Sequence, residues 1–305
     1  MSSLKKVVYV LVSQTTDHFT EMCLLSIECM KRYSPGLYIE LVMDEKTKHS
    51  LVGYRGKVLT LVDNYHVLGI SGDNNGLVSR MIKTQLRSIV EGDYLYIDID
   101  AFPMKKLDSI YDSQYDISMV YDMNVSPDKF IFHDYEREIF DVMQWELPKE
   151  YFNSGVMFVK DNERVHRFYE NWYSIWSESS KGGLHKDQPP MHEAIRVTKI
   201  KVGVLEPVWN VLVTLHKGRV AKNAKIYHVS TVRFDERNDT HFHSIIREMK
   251  LNERINWNLL EAVRASKYPW TNHSSLKLNW GVGNYKVVAV LIFKKVMSLG
   301  RDVKL

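Results

Sequence analysis

The 305-residue chain predicts an α/β fold: a mainly parallel central sheet flanked by helices, with a helical C-terminal region. Three observations lead there. Apolar runs of strand length alternate with longer stretches whose apolar residues recur at helical spacing. Hydrophobic residues make up 45% and charged residues 26% of the chain, an ordinary globular balance. No window holds the eighteen or more uncharged apolar residues of a membrane span.

The elements follow in order. Val7–Val12 is a short apolar run and reads as a first buried strand; two lysines precede it, but it is too short and lacks the small-residue cleavage site of a signal peptide. "TTDHFTEMCLLSIECMKRYSP" reads as a helix capped by Thr or Asp and stopped by Pro35. Its Cys23 and Cys29 fall on different helix faces and predict buried thiols rather than a disulfide. "LYIELVM" and "KVLTLV" read as strands, and the Gly-rich "DNYHVLGISGDNNG" as a loop. Leu77 to Val90 reads as a helix carrying Arg80 and Lys83 on one face. The strands "YLYI" and "DISMV" come next, and "YFNSGVMFVK" reads as a turn entering an apolar strand. "ERVHRFYENWYSIWSE" is an aromatic amphipathic helix, "SESSKGGLHKDQPP" a loop, "MHEAIRV" a helix and "AKIYHVS" a late strand. Helices are expected at 240–250 and 253–266. Strand signals stop near residue 235, so the chain divides into a domain over 1–235 and a helical extension over 236–305 ending in a basic amphipathic tail.

The net charge of +4 is concentrated at the end. In the last twenty residues Lys286, Lys294, Lys295, Arg301 and Lys304 face only Asp302, so the body is near neutral. No nucleic-acid partner is expected. The tail packs as a last core helix or meets an anionic membrane surface through residues 286–305; a cytoplasmic protein with peripheral membrane contact is the expectation.

Chemistry concentrates in "GDYLYIDIDAFP", residues 92–103. Side chains alternate along a strand, so Asp98 and Asp100 share a face at the exit of an apolar run. Two carboxylates so placed repel unless a cation sits between them. Their oxygens suit Mg²⁺ or Mn²⁺, and in open α/β sheets ligands bind beyond the carboxyl ends of the strands. A solvated turn at a strand end is the alternative.

"LYIDIDAFP" resembles the Asp-x-Asp motif of metal-dependent glycosyltransferases with the GT-A fold, a Rossmann-like nucleotide-diphospho-sugar transferase architecture, and family 8 in particular, the galactosyltransferase and glycogenin-like enzymes. "SQTTD", "SRMIKTQ", "FNSGVM", "DQ", "VWN" and "IYHVS" occur in that family's order over residues 7 to 230. The resemblance implies that Asp98 and Asp100 chelate the metal, Asp98 also touching the donor, with His228 as third ligand. It places Ser13, Gln14, Thr15 and Asp17 in a nucleotide-contacting loop. Arg80 or Lys83 would meet the donor phosphate or sugar, and Asn153, Ser154 and Gly155 would form a turn approaching the sugar. Gln188 would lie near the anomeric carbon with Asp187 beside it. The family's Lys-Pro-Trp after the histidine is missing from "HVSTVRFDE", and Arg233 is the candidate for its electrostatic role. Met191 and His192 replace the family's Leu-Asn.

The function implied is transfer of a sugar, with retention, from a nucleotide-sugar (a UDP-sugar by resemblance) to a glycan or lipid-linked acceptor, as in polysaccharide biosynthesis, with Mn²⁺ or Mg²⁺ as cofactor. The two glycine-rich loops are candidate lids. Two rivals remain open: a non-catalytic nucleotide- or glycan-binding protein of the same fold, and an Asp-x-Asp phosphotransferase. The phosphotransferase usually carries its pair on the first strand, and here the pair follows a later one.

Overall fold

The structure, a computed structural model, describes residues 4–70, 72, 74–213, 221–229, 240–266, 276, 280 and 285–299. Its main sheet has seven strands: β1 (Lys6–Leu11), β2 (Tyr38–Asp44), β3 (Asn64–Leu68), β4 (Tyr94–Ile97), β6 (Ile117–Tyr121), β7 (Phe152–Val159) and β8 (Val202–Val204), in the spatial order β3-β2-β1-β4-β7-β6-β8. Strands β3, β2, β1 and β4 pair in parallel, as do β6 and β8, whereas β7 runs antiparallel to both β4 and β6. A second sheet joins β5 (Ala101–Pro103), β10 (Ile226–His228) and β9 (Val211–Leu212). The predicted α/β class with a mostly parallel sheet is borne out.

Strand β1 shows why the sheet is covered on both faces. Val7, Tyr9 and Leu11 enter one apolar cluster, and Val8, Val10 and Val12 enter the other, as a period of two requires. The first cluster is closed by α1 (Phe19–Tyr33), which buries free Cys23 and Cys29. The second is closed by α4 (Asn75–Thr84), α7 (Glu163–Lys181) and α8 (Gln188–Thr198), with Trp172 at its centre. In the predicted extension, α9 (His241–Asn252) and α10 (Trp257–Ser266) contribute Phe242, Ile246, Leu260 and Val263 to the first cluster. Phe242 stacks on Phe102 of β5 at 4.7 Å.

Five expectations are corrected. "KVLTLV" is not a strand: Lys57–Leu61 forms the short helix α3, between α2 (Glu45–Ser50) and β3, with Val58 buried. Its alternation lasts too few residues to distinguish a period of two from a helical one. The strand beside β2 is instead Asn64–Leu68, inside the predicted loop. It is an edge strand with no buried side chain, Tyr65 and Val67 among those exposed, held by backbone pairing to β2, and such an edge needs no apolar face. Phe152 is already within β7, so "FNSG" is strand and not turn. The predicted loop at 177–190 is shorter at both ends, because α7 reaches Lys181 and α8 begins at Gln188, with prolines in its first turn. The helix read over 77–90 breaks at Gln85 into α4 and α5 (Leu86–Ile89). A further helix, α6 (Asp134–Val142), precedes β7.

In the tail, α11 (Tyr285–Leu299) buries Val288 alone among its described side chains. Phe293 is 66% exposed and Val296 60%. The alternative in which the tail packs as a core helix is met at that one residue. No helix among the described residues is long and apolar enough to cross a membrane.

Candidate active site

The site forms where the two sheets meet. Beyond β4 the chain turns through residues 98–100 into β5, held by hydrogen bonds from the Asp98 N–H to the Gly155 carbonyl (2.8 Å) and from the Val229 N–H to the Asp100 carbonyl (2.9 Å). Strand β10 lies antiparallel to β5 with His228 opposite Ala101. That register brings the imidazole to the carboxylates: His228 Nε2 is 3.3 Å from Asp100 Oδ1 and 4.0 Å from Asp98 Oδ2. One ligand atom from each of the three residues lies within 4.8 Å of the others. Burial alone would strip the proton from His228, but the charge and hydrogen bond of Asp100, together with the charge of Asp98, outweigh it and hold the pKa above the ordinary histidine value.

Gly155 makes this possible. A Cβ there would sit 2.3 Å from His228 Cε1 and 2.8 Å from Asp98 Oδ2. The glycine serves close approach of a ring inside a strand, not a turn. Two carboxylate oxygens and one imidazole nitrogen converging in this way form a donor set that fits a divalent cation.

Cations from α4 stand behind the carboxylates. Lys83 Nζ is 3.4 Å from Asp98 Oδ1, 3.2 Å from Asp187 Oδ2 and 3.0 Å from Ser154 Oγ. Arg80 Nε is 3.6 Å from Asp187 Oδ1. Burial opposes charge on Lys83, yet Asp187 and Asp98 together raise its pKa. Burial likewise works against ionised Asp187, but Lys83 and Arg80 hold its carboxyl below the usual range. Tyr96 donates its hydroxyl hydrogen to Asp98.

Two recesses flank this ridge and share Arg80, Lys83, Asp98, Asp100 and Asp187 in their walls. One, of about 240 Å³, is walled on its far side by Val10, Val12, Phe19 and Met22. The other, of about 410 Å³, is polar, with Asn153, Gln188, Glu136, Tyr135 and Lys186 around it.

The structure therefore brings together Arg80, Lys83, Asp98, Asp100, Asn153, Ser154, Gly155, Asp187, Gln188 and His228. It does not bring Ser13, Gln14, Thr15 and Asp17 to either recess. Asp17 accepts from Ser13 Oγ (2.6 Å) and from the Gln14 and Phe19 N–H groups, and Arg55 donates to Ser13 Oγ (2.7 Å) and the Gln14 carbonyl. The loop is stapled one layer back, touching the apolar recess through Asn75, whose Oδ1 accepts from Gln14 Nε2 (3.1 Å). His192 lies behind the wall, stacked on Tyr151 at 4.3 Å and accepting the Phe152 N–H (3.0 Å). Arg233 lies outside the described residues. Sequence reasoning missed Glu136, a buried carboxyl that accepts from the Tyr151 hydroxyl (2.9 Å) and that burial pushes up in pKa. It also missed roles for Asp122 and Asn210. Asp122 carries the same signal as Asp98, an aspartate just past an apolar strand.

The family model for nucleotide-diphospho-sugar transferases matches residues 73–243, most of the segment that builds this site. The chain belongs to that family. Among solved structures, the transferase is similar to the bifunctional glycosyltransferase WbbM in its apo form, with a TM-score of 0.55 at 16% identity over 87% of this chain and 52% of that one. It is also similar to mouse xyloside xylosyltransferase 1 in its apo form, with a TM-score of 0.51 at 12% identity over 74% of this chain and 97% of that one. The chain thus spans about half the length of WbbM, and at these identities the likeness concerns the fold. No curated protein matches the transferase in sequence.

Proposed function

We propose that the transferase moves a sugar from a nucleotide-sugar, with a UDP-sugar as the donor, to a glycan or lipid-linked acceptor, with retention of anomeric configuration in the manner of family 8. One observation carries this reading: Asp98, Asp100 and His228 converge on the ridge between an apolar and a polar recess. The apolar recess suits the nucleoside, the ridge the diphosphate and the polar recess the sugar.

Asp98, Asp100 and His228 hold Mn²⁺ or Mg²⁺. When bound, such an ion offsets charge building on the departing diphosphate. Lys83 and Arg80 add positive charge on the same side. Asp187, clamped between them, stays ionised and holds sugar hydroxyls, while Gln188 presents a neutral amide beside the reacting carbon. Neither Asp187 nor Glu136 is free to attack that carbon. The first is ion-paired, and the second is held by Tyr151 and by the His133 N–H (3.0 Å). A front-face attack, with the leaving phosphate taking the acceptor's proton, needs no protein nucleophile. Residues 1–235 supply this chemistry. The helical extension 236–305 ends in α11, whose exposed apolar side chains and lysines rest on an anionic membrane surface.

The test is a donor-hydrolysis screen. The protein with Mn²⁺ meets a panel of nucleotide-sugars beside an Asp98→Asn/Asp100→Asn control. Slow, metal-dependent release of one nucleoside diphosphate, absent in the control, is expected. Tight donor binding with no turnover toward any acceptor in a glycan panel would instead favour the non-catalytic reading.

A further inference from the structure

A run of buried amides leads away from the candidate metal ligands, and its polarity can be worked out link by link. The Gly155 backbone N–H is a donor and nothing else, and it points at Asn153 Oδ1 (2.9 Å). That contact fixes which end of the Asn153 amide is oxygen. The same oxygen lies 2.8 Å from the side-chain amide of Asn210, so Asn210 must present its NH₂ there. The other end of the Asn153 amide donates to Asp122 Oδ1 (2.7 Å), an acceptor, which agrees.

With its NH₂ committed, Asn210 has only its oxygen left for His228 Nδ1, 2.9 Å away. An oxygen acceptor requires a hydrogen on Nδ1. The hydrogen on Nδ1 in turn leaves the Nε2 lone pair of the neutral ring directed at Asp98 and Asp100. Asn210 is fully buried, so water does not compete for these links. Asn124 holds its backbone, donating to the Asn210 carbonyl (2.8 Å) and accepting from the Leu212 N–H (3.1 Å).

We propose that Asp122, Asn153 and Asn210 form a relay that presets His228 in the one tautomer able to ligate a divalent cation. This rests on reading the Asp98–Asp100–His228 cluster as a metal site. Asn153 and Asn210 are then positioning residues. Asn153 in particular has both oxygen lone pairs and one amide hydrogen engaged, so a single amide hydrogen remains for a donor sugar. Groups that orient a histidine ligand through its far nitrogen typically change metal affinity 10- to 100-fold when removed.

The experiment is calorimetric titration of the metal-free full chain with Mn²⁺, for the wild type and three variants, with folding checked by circular dichroism. Asn210→Leu removes the acceptor and should weaken binding 10- to 100-fold. Asn153→Leu touches neither ring nor ion; by freeing Asn210 to turn its NH₂ toward Nδ1, it should weaken binding in the same direction. Asn210→Asp restores an acceptor for Nδ1 while losing the link to Asn153. It should bind Mn²⁺ much more tightly than Asn210→Leu even if it melts earlier, which a purely structural role would not produce. As a spectroscopic check, nitrogen NMR of the Mg²⁺-loaded wild type should show a slowly exchanging hydrogen on His228 Nδ1. A hydrogen on Nε2, or wild-type affinity in folded Asn210→Leu, overturns the relay. No Mn²⁺ binding by the wild type would overturn the metal reading itself, and the relay with it.

Discussion

Adding one methyl group at Gly155 should disable the site without replacing any ligand residue. In Gly155→Ala the new Cβ would lie 2.3 Å from His228 Cε1, 2.8 Å from its Nδ1 and 2.8 Å from Asp98 Oδ2. Ordinary carbon contacts begin near 3.5 Å, so ring or strand must yield by roughly 1 Å. The ring is poorly able to do so, since Nδ1 is tied to Asn210 and its strand is paired with β5. Overpacking of this kind costs about 1–3 kcal/mol, and a displacement of about 1 Å in a positioned group costs on the order of 100-fold in function. Both numbers appear in one thermal-melt assay. At a hundredfold excess over Kd, a bound ion stabilises the wild type by about 2.7 kcal/mol; if Kd rises 100-fold, the same concentration gives about 0.4 kcal/mol. Gly155→Ala should melt several degrees lower, and the Mn²⁺-induced rise in Tm should nearly vanish. A variant with the wild-type Tm and the full Mn²⁺ shift would show that the close approach is not what the glycine is for.

Other perturbations have equally definite outcomes. Lys83→Met leaves Asp187 buried with only Arg80, a loss of about 3–5 kcal/mol for a broken buried pair at pH 7. In the wild type the depressed Asp187 pKa contributes stability above the usual carboxylate range and is lost as pH falls through it. In the variant burial raises that pKa, so urea midpoints measured from pH 7 to pH 5 should recover relative to wild type. Burial holds the His192 pKa down to about 3, so the folded state refuses a proton that the unfolded chain accepts. Stability should fall from pH 6.5 toward pH 3, by up to ~5 kcal/mol if the chain stays folded that far, and His192→Gln, which keeps an acceptor for the Phe152 N–H, should flatten that slope. Deleting residues 286–305 should reduce co-sedimentation with anionic vesicles at low salt, with each lysine near the surface contributing about 1 kcal/mol; unchanged sedimentation would end the membrane reading of α11.

What the sequence revealed and what it hid divide along a physical line. The exit of β4 was legible because alternation and an apolar run are local, and they place Asp98 and Asp100 on one face without further information. Arg80 and Lys83 were legible from a spacing of three on a helix. His228 came only from resemblance, since its meeting with Asp100 depends on the β5–β10 register. The Ser13–Asp17 loop was given a ligand contact by resemblance, whereas its polar groups bind one another and the chain. Their partner, Arg55, lies about forty positions away and cannot be inferred from local pattern. Asn153–Gly155 looked like a turn because glycine usually marks one, whereas here the missing Cβ makes room for a ring delivered from far along the chain. Asn210 and Asp122 meet Asn153 through hydrogen bonds from 57 and 31 positions away; the exit of an apolar strand marks Asp122, but no local pattern reveals that shared partner. The edge strand β3 was hidden because backbone pairing asks little of side chains.

The seam between the two sheets has a mechanical consequence. Asp98 leaves the seven-stranded sheet and Asp100 enters the three-stranded one, both facing an imidazole carried by β10, and the small sheet is backed by Phe102 stacked on Phe242 of α9. An ion held by all three residues would pin β10 to the turn between β4 and β5. Under the proposed metal reading, Mn²⁺ should slow amide hydrogen exchange in α9, whose Phe242 stacks on Phe102 of β5.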